Sequence, residues 1–187
     1  MPFRPPHSDP IPADHASAGL QASIRPMALR DLPGVLAVQQ EAYAGAAFTP
    51  EHEGVYRDRM ALAPALCLVA ADAAERVLGY LVSHPVRAGT LPALDTELGA
   101  LAQDADCWYL HDCAVAARAH GQGLAAALYA AALACAQDRG LRQGALVAVG
   151  DAAGYWARWG YRVQHSPGLQ AKLAGYGAGA CYMVRTL

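Results

Sequence analysis

The stretch Arg118-Ala119-His120-Gly121-Gln122-Gly123-Leu124 decides how the chain is read. Before it stands 108–115 (WYLHDCAV), an apolar run that predicts a buried strand. After it, 124–138 predicts an alanine-rich helix with Leu124, Leu128, Ala131 and Cys135 on one face, Arg139 in the last turn and Gly140 as the stop. A helix that begins directly after a strand turns its first, unpaired N–H groups toward one point. Glycines let that backbone approach a ligand with no Cβ in the way, and Arg118 adds a positive charge. The segment therefore predicts a site for a phosphate-type anion. A mononucleotide loop needs Gly-Lys-Ser/Thr, and no lysine stands there. A dinucleotide fingerprint fits Gly121-x-Gly123-x-x-Ala126 letter by letter, with Asp151 placed as a ribose-binding acid after the next strand. The order of elements argues against it: hairpin strands precede the motif, and too little chain follows Asp151 to complete a doubly wound sheet.

Upstream, 24–27 predicts a short strand, Asp31 an N-cap, and Leu32, Val35, Leu36 and Val38 a helix running to about Tyr43. A loop with Gly45 and Pro50 leads to a helix over 53–62, closed by Pro64. Residues 65–70 (ALCLVA) and 77–84 (VLGYLVSH), joined by a polar turn, predict a hairpin. The long connection 86–106 carries Asp95, Glu97, Asp104 and Asp106 against Arg87. Loops of that length are often functional, and a solvated surface excursion is the competing reading. Downstream, 145–149 predicts a strand, 155–159 a short helix, and 161–163 and 180–185 two strands. The order is β-α-α-β-β-β-α-β-α-β-β. Residues 1–22, with Pro2, Pro5, Pro6, Pro10 and Pro12, predict a flexible tail ahead of one domain over 23–187.

Composition narrows the function classes. Of 187 residues 55% are hydrophobic and 16% charged, which excludes wholesale disorder. No apolar run is long enough to span a bilayer. A formal charge of −2 gives no basic surplus for nucleic acid. Neither a membrane nor a nucleic-acid partner is expected. Alanine, at 43 residues, inflates the apolar fraction, so the core must rest on Leu, Val, Tyr and Trp. One lysine, Lys172, against 13 arginines is the skew of a GC-rich, bacterial coding sequence. The five cysteines (Cys67, Cys107, Cys113, Cys135, Cys181) are odd in number and form no CxxC. They predict free thiols in a reducing cytoplasm, and no signal peptide is read at the N-terminus.

The remaining anion candidate is a coenzyme A pyrophosphate, and here the chain resembles the GCN5-related N-acetyltransferase (GNAT) superfamily. Arg118-x-x-Gly121-x-Gly123 matches its Q/R-x-x-G-x-G/A signature. Tyr155-Trp156-Ala157-Arg158-Trp159-Gly160-Tyr161 is similar to its F-Y-x-x-x-G-F segment, and Val77-Leu78-Gly79-Tyr80 to one of its strands. The resemblance covers about residues 22–187. It implies an α/β (α+β) fold: a mixed, mostly antiparallel sheet of six or seven strands, flanked by helices and splayed between two parallel strands, here 108–115 and 145–149. It also implies acetyl-CoA as co-substrate. Cys113, Ala114 and Val115 would offer backbone to the pantetheine arm as an added strand. Arg118, Ala119, His120, Gly121, Gln122, Gly123 and Leu124 would cradle the pyrophosphate, through backbone more than side chains. Trp156 would lie against the cofactor.

Acetyl transfer to an amine needs a base for the amine, a donor for the oxyanion and an acid for the leaving thiolate. Tyr-Leu-His-Asp-Cys-Ala-Val resembles the H-L-H-x-L-A-V strand of arylalkylamine N-acetyltransferases, in which histidines relay the amine proton. His111 falls on the second histidine and is the candidate base; Tyr109 replaces the first. Histidine suits proton transfer near neutrality, and a half-buried structural histidine is the competing reading. The resemblance implies a backbone N–H near Cys113 or Ala114 as oxyanion donor. The family's proton-donating tyrosine is replaced by Trp156, so Tyr155 is the candidate acid, against a packing role for it and against water or Tyr109 as donor. Regular alternation puts Tyr109, His111, Cys113 and Val115 on one face and Asp112 on the other. No metal is expected: Cys107 and Cys113 on one strand stand about 20 Å apart.

Two function classes follow. One is an acetyl-CoA-dependent N-acetyltransferase acting on a small-molecule or peptide amine, which the acidic connection would favour as a cation. The other is an acyl-CoA-binding sensor without turnover. A monomer or a homodimer fits either.

Overall fold

The computed structural model describes residues 22–46 and 49–187. The tail expected over 1–22 lies, apart from residue 22, outside the described residues. The chain runs β1 (Ser23–Pro26), α1 (Leu32–Ala42), α2 (Glu53–Leu62), β2 (Cys67–Ala71), β3 (Val77–Val86), β4 (Cys107–Val115), α3 (Leu124–Asp138), β5 (Gln143–Ala148), α4 (Ala152–Arg158), β6 (Arg162–Val163), α5 (Gln170–Ala174) and β7 (Cys181–Thr186). The expected order holds, with α5 added. The strands form one seven-stranded sheet, β1-β2-β3-β4-β5-β7-β6. Only β4 and β5 pair in parallel; the other neighbours are antiparallel.

Burial sorts the helices onto two faces. Leu128, Ala132 and Ala136 of α3 are buried with Leu68, Leu81, Trp108 and Leu110 of the sheet. The alanines there let the helix axis sit close to the strands, and Trp108 and Tyr129 supply the bulk that alanine lacks. On the opposite face, Val35 and Val38 of α1 and Tyr56 and Met60 of α2 cover Val69, Tyr80, Val82 and Ala114. Leu173 of α5 closes that same side farther along, over Cys107, Tyr109 and Ala145.

The sheet opens at its centre. β4 and β5 pair from Cys107↔Gln143 only as far as Leu110↔Leu146. The cause lies in the β3–β4 register, where Val82 faces Asp112 but Ser83 faces Leu110. His111 is therefore an extra residue, a β-bulge, and a bulge bends its strand and sharpens the local twist. Past that point β4 stays with β3 as far as Gly79↔Val115. β5 stays with β7, through Val147↔Tyr182 and Ala148↔Cys181. The two central strands part, leaving the β5-facing edge of residues 111–115 without a ladder partner.

The bulge also corrects the expected alternation. Trp108 and Leu110 point to the α3 side and Cys107 and Tyr109 to the other. Beyond the extra residue the parity shifts: Cys113 and Val115 pack on the α3 side, while Ala114 packs under α1 and α2. Asp112 thus shares the face of Tyr109 rather than opposing it.

The 86–106 connection is tied down. Asp58 accepts the N–H groups of Leu98 and Gly99, each at 2.9 Å. The fully buried Arg59 donates to the Thr96 carbonyl at 2.8 Å and pairs with Asp58 at 2.7 Å. Its acidic residues are engaged locally: Asp104 pairs with Arg87 at 2.8 Å, Asp106 accepts the Ala88 N–H at 2.7 Å, and Asp95 meets the His52 ring at 2.6 Å. Among the described residues no helix is long and apolar enough to cross a membrane.

Candidate active site

The loop between β4 and α3 turns its backbone outward by using its side chains as anchors. Arg118 reaches back to the Val77 carbonyl at 2.7 Å. His120 Nε2 lies 2.9 Å from the Val115 carbonyl. Ala119 and Leu124 are buried in the α3-side core, and Glu41 accepts the Ala117 N–H at 3.0 Å. Gly121 and Gly123 have φ of 76° and 71°, left-handed values that a side chain would strain. Gly123 is the N-cap of α3. Among the described residues, no N–H from residue 121 to residue 126 has a hydrogen-bond partner. Six successive donors at a helix start, with Gln122 among them, make a cradle suited to a diphosphate.

The cradle sits at one end of the gap between β4 and β5. Along the α3 side of that gap lies Cys113, half-buried, its thiol pushed up to about 12 by burial and by the charge of Asp112. A thiol so placed is an inert wall rather than a nucleophile. Ala114 and Val115 continue the strand edge toward the loop. The two aromatic residues of α4 divide their roles. Trp156 packs on the α3-side core, 6.0 Å from the Tyr129 ring and 5.8 Å from the Tyr161 ring. Tyr155 stands edge-on to Trp156 at 5.1 Å with the Arg158 guanidinium 5.4 Å over its ring. Burial raises the Tyr155 phenol, with Cys113 adding to the shift, so it holds its proton at neutral pH.

The other face of the gap carries a buried carboxylate–imidazole pair. His111 Nε2 lies 2.6 Å from Glu51 Oε2, and the two side chains are 1% and 6% exposed. Glu51 was not among the residues singled out from the sequence; it sits in the α1–α2 loop, 60 positions from its partner. Its second oxygen accepts the Asp95 N–H at 2.9 Å. Gln39 grips its backbone, the amide oxygen accepting the Glu51 N–H at 2.9 Å and the amide nitrogen donating to its carbonyl at 3.2 Å. Burial works against the Glu51 carboxylate, but the His111 ring, the Asp95 N–H and Arg59 outweigh it and hold the group below its ordinary range. With Nε2 donating to Glu51, His111 keeps its Nδ1 lone pair, and that buried nitrogen has no hydrogen-bond partner among the described residues.

Beside it, the Asp112 carboxylate gathers phenols. Tyr43 donates to Oδ1, and Tyr80 and Tyr56 both donate to Oδ2, at 2.6 Å and 2.7 Å. Burial raises the Asp112 carboxyl against the lowering effect of these three hydroxyls. His111 and Asp112 line a pocket of about 50 Å³, walled by Leu94, Val147, Val149 and Tyr176. Tyr109 is fully buried on this same side, its ring 6.1 Å from His111. It therefore lies across the sheet from Cys113 and Tyr155. Among the described residues no group of three or more His, Cys, Asp or Glu is arranged to hold a metal ion.

The chain and its fold have relatives. The family model described as acetyltransferase (GNAT) family matches residues 33–161. A GNAT family acetyltransferase from Brucella melitensis, solved with acetyl-CoA, is 26% identical over 76% of this chain and 83% of its own, with a TM-score of 0.54. The GNAT family N-acetyltransferase YhbS from Escherichia coli, solved with CoA, is 22% identical over 92% and 85%, with a TM-score of 0.59. Ard1 from Thermoplasma volcanium shares the fold at 16% identity, covering 89% and 97%, with a TM-score of 0.66. No curated protein matches the chain in sequence.

Proposed function

The chain belongs to the acetyltransferase (GNAT) family, whose enzymes take acetyl-CoA as co-substrate, and from that membership we propose that it transfers the acetyl group directly to a primary amine of a small molecule or peptide. The observation that carries this reading is the buried Glu51–His111 pair, at 2.6 Å, standing where the sheet opens. The cofactor cradle and the base lie on opposite faces of one gap, so thioester and amine can meet through it.

In this reading the pyrophosphate rests on the N–H groups of residues 121–126 and the pantetheine arm lies along the free edge of Cys113, Ala114 and Val115. Glu51 fixes the His111 tautomer and stabilises the imidazolium that forms as Nδ1 takes the amine proton, directly or through one water. The freed nitrogen attacks the thioester carbon. A backbone N–H near Cys113 or Ala114 steadies the oxyanion. When the C–S bond breaks, the thiolate takes the phenolic proton of Tyr155, and the acetylated nitrogen sheds its second proton through water to the tyrosinate, which leaves a neutral amide and restores the phenol. The placing of Tyr155 beside Cys113, with Trp156 packed into the core, supports Tyr155 as the acid.

The test is release of free CoA from acetyl-CoA in the presence of a panel of amines. Turnover lost in His111→Ala, with acetyl-CoA still bound, supports the mechanism. Acetyl-CoA binding with no turnover on any amine favours a sensor, the role that Trp156 in place of the usual tyrosine would suit.

A further inference from the structure

Resting on the acetyl-transfer reading, we propose that Asp112, ringed by the hydroxyls of Tyr43, Tyr56 and Tyr80, is the ammonium-recognition group of the acceptor site, and that the acceptor is a small primary amine bearing no carboxylate or phosphate. The β-bulge is the first ground. By inserting His111 as an extra residue it turns two neighbours in sequence, His111 and Asp112, into one pocket. The pocket then holds a base and a carboxylate side by side.

The chemistry of the lining is the second ground. Glu51 and Asp112 are the two carboxylates of the wall, and no lysine or arginine lines it. An acceptor carrying its own carboxylate would place a third negative group there with no cation to meet it, while an ammonium finds opposite charge. Tyr43 and Tyr176 add aromatic rings, and Leu94, Val147 and Val149 add apolar walls, suited to a neutral hydrocarbon body. The pocket is small, about 50 Å³.

The third ground is independent of the acids. His111 lines this pocket, its side chain is 1% exposed, and its Nδ1 has no partner among the described residues. A buried acceptor nitrogen left open at a pocket wall calls for a donor from a ligand or its water, and an ammonium is a donor only. The ammonium docks on Asp112 and delivers its proton to the adjacent His111. The acids of the 86–106 connection have local partners and are not needed for this recognition.

The experiment is calorimetric titration of the CoA-loaded protein with three molecules of nearly equal size: propylamine, 3-aminopropanoate and propan-1-ol. Propylamine is expected to bind about 100-fold more tightly than the other two. Asp112→Asn should weaken propylamine about 30-fold or more and leave the CoA affinity within about twofold. Equal binding of 3-aminopropanoate, an unchanged propylamine affinity in Asp112→Asn, or a parallel loss of CoA affinity overturns the proposal. If Asp112→Asn does not fold, the propylamine to 3-aminopropanoate ratio on the unmodified protein decides it. Turnover with acetyl-CoA, measured beside the titrations, separates the two layers. Asp112-dependent propylamine binding without CoA release sinks acetyl transfer and leaves the ammonium site standing. Faster acetylation of 3-aminopropanoate than of propylamine sinks the ammonium site and leaves acetyl transfer standing.

Discussion

Glu51→Gln is the sharpest probe of the proton-transfer machinery. Glu51 serves two donors at once, His111 Nε2–H at 2.6 Å and the Asp95 N–H at 2.9 Å. Glutamine has the same shape but one oxygen. If that oxygen keeps Asp95, the amide N–H₂ faces His111 Nε2 and forces the ring proton onto Nδ1, where the base lone pair is needed. If the oxygen keeps His111, a donor faces the Asp95 N–H and the loop is pushed away. Either way the negative charge that steadies the imidazolium is gone. A hydrogen bond to a charged group contributes a net of about 1.5–3 kcal/mol. At about 1.4 kcal/mol per tenfold, a loss of 2–3 kcal/mol lowers kcat about 30- to 150-fold. The backbone cradle proposed for the cofactor does not involve Glu51, so the KM for acetyl-CoA should hold within about twofold. The assay is steady-state CoA release at saturating acetyl-CoA with varied amine, beside a thermal melt. A kcat within threefold of the parent, in a variant with a normal melt, refutes the assignment of Glu51 as partner of the base. An equal rise in both KM values would place the residue in the scaffold instead.

Three other outcomes follow from the same geometry. Tyr155→Phe should lower kcat by about 10-fold or more with both KM values nearly unchanged, while Trp156→Phe should lower the melting temperature more than kcat; the reverse pattern in kinetics and melts would return Tyr155 to a packing role. Gly123→Ala, which meets no atom within 4 Å of the new Cβ but sits at φ 71°, should cost about 1–2 kcal/mol and raise the KM for acetyl-CoA without moving that for the amine. His84 is fully buried, and burial, with the Arg59 charge adding to it, lowers it to about 3. Between the ordinary value near 6.5 and that value the unfolded chain binds the proton and the folded one does not, so stability falls as pH falls. Urea unfolding at pH 6 and pH 5 should therefore show a slope about 1.4 kcal/mol per pH unit steeper in the parent than in His84→Gln, and equal slopes would refute it. Glu51, whose carboxylate is held low, adds a separate loss only as pH drops below the ordinary carboxylate range near 4.3.

The parts of the fold legible in the sequence were those with local causes. The bounds of α2 and α3 match the reading because breakers and apolar spacing mark them: Pro64 after one, Gly140 after the other. The glycine turn into α3 was legible for the same reason, since a strand, two glycines and a helix start are consecutive in the chain. What escaped was long-range. The five-residue α5 has too few positions to show a period, and its place is set by Leu173 and Tyr176 packing on Tyr109 and Tyr182 on one face of the sheet. Glu51 follows a proline in a loop with no pattern of its own. The one signal for it was a requirement rather than a motif: an imidazole that turns cationic inside an apolar strand needs a carboxylate within reach.

The bulge was different, because its signature was present and read as regular strand. His111 and Asp112 are adjacent polar residues inside CWYLHDCAV. Strict alternation sends one of them to each face, and both faces here are cores. A charge sent into the α3-side core would be buried with no partner, at a cost of several kcal/mol. Two polar neighbours in a strand buried on both sides are therefore a conflict, and an extra residue resolves it by turning both to the face where Glu51 and the tyrosines wait. The same insertion parts β4 from β5 and opens the gap that the proposed acetyl transfer uses. One local frustration in the sequence thus accounts for the polar pocket and for the opening together. It follows that a variant restoring regular alternation, by deleting residue 111, should close the gap and abolish acetyl-CoA binding as well as catalysis, whereas His111→Ala, which keeps the count, should abolish catalysis alone.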